Sequence, residues 1–126
     1  MAKNCICKPA EIMVFACSGG GANVGQVSNQ AALEITKEGK AKMCCLAGLG
    51  GHIPGIIEAT KQAKKIIVVD GCPVSCAKKM VEHVGIDIDG YIVITEEGIE
   101  KTPGKFDFSD MEVGKIKALI EQKISE

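Results

Sequence analysis

The sequence predicts a small three-layer α/β domain with a four-stranded, mainly parallel sheet of the Rossmann-like or flavodoxin-like kind. Three observations carry this reading. Short apolar runs alternate with stretches of helical periodicity, in the order β-α-β-α-β-α-β-α. The clearest run, Ile66-Ile67-Val68-Val69, is β-branched throughout, as expected of a strand covered on both faces. At 126 residues the chain is one domain, long enough to bury a core without staples. Right-handed crossovers and this element count point to strand order 2-1-3-4.

Residues 1–10 read as a loose tail holding Cys5 and Cys7, and residues 11–126 as a single α/β domain. Glu11 to Cys17 forms the first strand, ended by Ser18-Gly19-Gly20-Gly21. Asn23 with Gln26 has the form of a capping box, and Val24, Val27, Ala31 and Ile35 follow at helical spacing until Gly39. Lys42 to Ala47 is a second strand, followed by the loop Gly48-Leu49-Gly50-Gly51-His52. Ile53, Ile56, Ile57 and Thr60 give a short second helix with Pro54 in its first turn. The third strand, 65–69, stops at Asp70-Gly71. A third helix is expected over 73–84, with Pro73 in its first turn and Val74, Ala77, Val81 and Val84 facing inward. Tyr91 to Thr95 is a fourth strand. An irregular stretch with a turn at Pro103-Gly104 leads to a second capping box, Ser109 with Glu112. That box opens a last helix with Val113, Ile116, Ile120 and Ile124 inward.

Composition removes several function classes. The formal net charge is −1, and all fifteen basic residues are Lys, so the bidentate fork used for phosphate and base recognition is missing. One Tyr, three Phe and no Trp leave no stacking platform for single strands. A nucleic-acid partner is therefore not expected. The N-terminus has no apolar leader and no stretch approaches membrane-spanning length, so a cytoplasmic protein without a membrane partner is expected. Seven cysteines in such a protein, an odd number with Cys44 and Cys45 adjacent, point to metal or redox chemistry rather than a disulfide framework.

Those thiols fall in a pattern. In a parallel sheet all carboxyl ends share one edge, where ligands bind. Cys17 ends the first strand, Cys45 lies towards the end of the second, and Cys72 follows the third. On a helix opened by Pro73, Cys72 and Cys76 share one face of the first turn, where the helix dipole favours thiolate. Adjacent strand residues face opposite ways, so Cys45 is the candidate at the edge and Cys44 a buried core thiol. Four thiolates suit a tetrahedral zinc ion or an iron–sulfur cluster.

The stretches Cys17-Ser18-Gly19, Asn23-Val24-Gly25, Cys45-Leu46-Ala47-Gly48-Leu49-Gly50-Gly51, Asp70-Gly71-Cys72 and Cys76-Ala77-Lys78-Lys79 resemble the DGC-domain family. The resemblance runs from the first strand through the third helix. It implies zinc bound by four cysteines, carried over onto Cys17, Cys45, Cys72 and Cys76, and leaves the biological role open.

Asp70 is a candidate ligand, a residue orienting the site, or a turn residue capping the helix behind it. His52, in a glycine loop near the same edge, is a candidate supporting residue or replacement ligand, or a solvated loop histidine. His83 lies about 10 Å along the helix from Cys76 and is too far to join a site at its first turn. The glycine loops complete neither a P-loop nor a dinucleotide motif, and close backbone approach to the metal site explains their glycines equally well. The expectation is a zinc-binding protein with a structural, sensory or metal-handling role and no assigned catalytic residue. The alternatives are a thiol redox enzyme or metallochaperone, and an iron–sulfur electron carrier.

Overall fold

A computed structural model describes residues 10–126; Cys5, Cys7 and the rest of the expected tail up to residue 9 lie outside the described residues. Four strands, β1 (Ile12–Ala16), β2 (Lys42–Met43), β3 (Lys65–Asp70) and β4 (Gly90–Val93), form one sheet in the order β2-β1-β3-β4. Every pairing is parallel. The helices are α1 (Asn23–Lys37), α2 (Leu46–Gly50), α3 (Pro54–Lys61), α4 (Cys76–His83) and α5 (Asp110–Ser125). The α/β class and the 2-1-3-4 order are as expected.

Alternation along the strands divides the core into two layers. Val14, Ile67, Val69 and Ile92 pack with Val27, Ala31 and Ile35 of α1 and with Val113, Ile116 and Ile120 of α5. On the other face, Met13, Phe15, Ile66 and Val68 meet Leu49 of α2, Ile56 and Ala59 of α3, and Ala77 and Val81 of α4. Burial of these side chains supplies the main drive to fold. It also fixes which helices stand over which edge of the sheet.

Four boundaries differ from the sequence reading, each for a local reason. The second strand ends at Met43: Cys44 N–H still donates to Val14 O at 3.1 Å, but Cys45 turns out of the sheet to become the N-cap of α2. The helix expected from residue 73 begins at Cys76, because Ser75 folds back with its N–H on Cys72 O and a φ of 61°. Val74, expected in the core, is exposed. The fourth strand closes at Val93 and continues as a 3-10 turn over Ile94–Glu97. Finally, the first capping box does not form. Ala22 is the N-cap of α1, and Gln26 donates to Ser18 O instead. The Ser109–Glu112 box does form, with both reciprocal hydrogen bonds.

Candidate metal centre

The thiols stand where the strands end. Cys17 follows β1 and stays registered to the sheet through its N–H on Val69 O at 2.9 Å. Its sulfur accepts the Gly19 N–H at 3.1 Å and lies within electrostatic reach of Asp70 and Cys76. Burial pushes the Cys17 thiol up from its ordinary range, the N–H groups of Gly19 and Gly71 oppose this, and Asp70 and Cys76 add to it.

Cys76 is the first residue of α4 and is exposed. Cys72 is not on that helix; it sits in the turn between β3 and α4. The expected sharing of one helical face by Cys72 and Cys76 is therefore corrected, and the helix-dipole argument does not extend to Cys72. Cys45 is exposed at the N-cap of α2, while Cys44 is buried in the layer with Phe15 and Val68.

Asp70 is a capping residue. It is 1 % exposed, and its carboxylate accepts from Ala77 N at 2.8 Å, Lys78 N at 3.0 Å and the Tyr91 hydroxyl at 2.9 Å. Those two N–H groups are orphan donors of the first turn of α4. Ser75, the nominal N-cap, leaves them free because its hydroxyl turns to Pro73 O. Asp70 thus sets the position of the helix that carries Cys76. Tyr91 Oη also lies 2.9 Å from Ser75 Oγ, and Lys78 Nζ stands 5.1 Å above its ring. Burial holds the Tyr91 hydroxyl up at about 12, with Ser75 opposing and Asp70 adding to the shift.

Lys101 was not singled out in the sequence, and its ammonium is 3.4 Å from Cys72 Sγ. Asn23 puts it there. The buried Asn23 carboxamide donates to Glu100 O at 2.9 Å and accepts from Thr102 N at 2.7 Å, clamping the backbone on both sides of Lys101. Gly104 N–H on Gly21 O and the bridge between Ala22 and Pro103 extend the clamp. The only sequence signal was a polar residue at the head of a helix, where a cap was the simpler reading. On the other side of Cys72, Thr95 N–H donates to Gly71 O, and Thr95 Oγ1 is buried without a hydrogen-bond partner among the described residues.

His52 meets His83, with Nε2 to Nε2 at 3.2 Å. The glycines of the loops serve packing: a Cβ on Gly25 would collide with the Gly19 backbone, and one on Gly50 would sit 2.7 Å from Met80 Sδ. Among the described residues no three of His, Cys, Asp and Glu stand close enough together to hold a metal ion. The thiols at the carboxyl edge are those of Cys17, Cys45, Cys72 and Cys76, of which Cys45 and Cys76 are exposed and Cys17 and Cys72 partly buried.

Fold and site together define a doubly wound parallel α/β domain with cysteines at the carboxyl edge of its sheet. Residues 13–120 match the DGC domain, and the chain belongs to that family. A relative from Pseudomonas aeruginosa, the anaerobic and virulence modulator AnvM, is 32% identical over 93 residues, covering 74% of this chain and 70% of its own. No solved structure matches the chain. No helix among the described residues is long and apolar enough to cross a membrane.

Proposed function

We propose that this chain binds one zinc ion at the carboxyl edge of its sheet through Cys17, Cys45, Cys72 and Cys76, in a metal-handling or sensory role. The supporting observation is placement: Cys17, Cys45 and Cys72 each follow the end of a parallel strand, β1, β2 and β3, and Cys76 opens α4 at the same edge. Asp70 is committed to α4 and Tyr91, so it supports the site and is not a ligand. Thiolates hold zinc as a closed tetrahedron with no open position for hydrolysis, which favours a structural or regulatory outcome. Cys45 and Cys76 each stand at the start of a helix. Drawing them onto one ion moves α2 and α4 relative to the edge, so that metal occupancy changes the surface. The relative AnvM is named a modulator, and a regulatory role read from metal occupancy is the extension of that name to this chain.

The test is elemental analysis with a visible spectrum on protein purified without oxygen. One equivalent of zinc and no colour are expected; brown, iron-containing protein overturns zinc in favour of an iron–sulfur cluster. Cys72→Ser is expected to lose the metal and Cys44→Ser to keep it, and equal losses in both sink the ligand assignment.

A second reading, a thiol redox enzyme or metallochaperone, is favoured by the ammonium of Lys101 against Cys72. That ammonium gives the sulfur a charged hydrogen-bonding neighbour. This reading expects metal-free protein in which Cys72 is alkylated first, and a several-fold slower reaction at Cys72 in Lys101→Met.

A further inference from the structure

His52 and His83 lie 31 positions apart in sequence, yet their Nε2 atoms are 3.2 Å from each other. We infer that the two imidazoles form a second, separate cation site at the C-terminal end of α4, a helix length away from Cys76, taking a borderline divalent transition metal such as zinc or nickel. The spacing fits. Two nitrogens bound to one tetrahedral ion at about 2.0–2.1 Å each lie roughly 3.3–3.4 Å apart. The rings stand 5.0 Å apart, centroid to centroid, at an interplanar angle of 89°.

The protonation pattern fits as well. His83 Nδ1 is 2.6 Å from Met80 O. A carbonyl oxygen only accepts, so the proton is on Nδ1, and in the neutral ring the Nε2 lone pair is left facing His52. A backbone carbonyl on the far nitrogen is the usual device that fixes a metal-binding histidine's tautomer and ring orientation. Imidazole nitrogen suits first-row divalent ions of borderline softness. Both side chains are exposed, so water can complete the coordination shell.

The fold builds this pair at some cost. His52 holds a φ of 55°, a left-handed conformation uncommon for a non-glycine residue. Two residues earlier, Gly50 lacks the Cβ that would strike Met80 Sδ, so the end of α2 lies directly on α4. A bound ion would pin the end of α2 to the end of α4. The cysteines stand at the opposite ends of the same two helices, at the N-cap of α2 and the first residue of α4.

Zinc titration of the full, isotopically labelled chain tests this, read by long-range imidazole nitrogen spectra. The ring nitrogens report this site whatever the thiols take up. The expected result is a saturable shift of Nε2 in both rings at one equivalent beyond any thiol-bound zinc. The shift is lost in His83→Gln and in His52→Gly, the latter chosen because glycine suits the left-handed backbone. If neither nitrogen moves, if only one does, or if the shift survives in either variant, the pair is a plain hydrogen-bonded contact and the site does not exist. The wild-type spectrum decides even where a variant folds poorly.

Discussion

Asp70 receives three hydrogen bonds in a setting that is 1 % exposed, and two of the donors are helix N–H groups with no other partner. Asp70→Ala strands them, together with the Tyr91 hydroxyl. Stability should fall by about 3 kcal/mol, measured as a shift of the urea midpoint with unchanged slope. Tyr91 carries a pH signature. Its folded-state value is raised to about 12 from 10, so the unfolded chain releases this proton first as pH rises. The folded state binds more protons between pH 10 and 12, and stability must fall with rising pH across that window. The decline should be steeper in the wild type than in Tyr91→Phe, which has no such proton; parallel curves would refute the assignment. Neither role could be read residue by residue. Asp70 at a strand end is equally a ligand, a turn residue or a cap until the start of α4 is located.

At the scale of elements, the loop after β1 depends on the absence of a side chain at Gly25. Gly25→Ala forces a Cβ into the Gly19 backbone and should destabilise by about 2 kcal/mol. Gly114 is the contrast: it lies inside α5, exposed, with nothing within 4 Å of an added Cβ. Gly114→Ala should stabilise by about 0.5–1 kcal/mol, by reducing the freedom of the unfolded chain and improving helix propensity. Thermal denaturation of the two variants side by side checks both signs. Periodicity located every helix except α2, which the sequence presented as strand end and glycine loop. The five residues Leu46–Gly50 are too few for a helical period to appear, and Cys44 and Cys45 look like further strand. The start of α4 was misplaced for a different reason. Pro73 fits a first helical turn equally well as it fits the turn before one, and only the left-handed Ser75 separates the two.

For the whole molecule, the zinc proposal makes a linkage prediction. An ion bound by the folded chain and not by the unfolded one raises the melting temperature with its concentration, and a chelator reverses the gain. The melting temperature of the metal-bound protein should fall on chelation in the wild type and be insensitive to chelator in the double variant Cys72→Ser, His83→Gln. Insensitivity in both would remove the metal from the folding balance. Calorimetry at several zinc concentrations checks this.

The amino-acid order by itself determined the α/β class and the gathering of cysteines at strand ends; the 2-1-3-4 order, only suggested by the element count, was decided by the sheet itself. The class and the gathering follow from local regularities: apolar runs, helical periods, and the rule that parallel strands share a carboxyl edge. Tertiary structure alone decided which thiols have which neighbours. Asn23 pins residues 100–102, and so brings Lys101 to Cys72 from 29 positions away. The short α2, ending beside α4, brings His52 to His83. Contacts of this kind arise from how packed layers meet, and no spacing along the chain encodes them, because each depends on the exact course of two segments that share no local pattern.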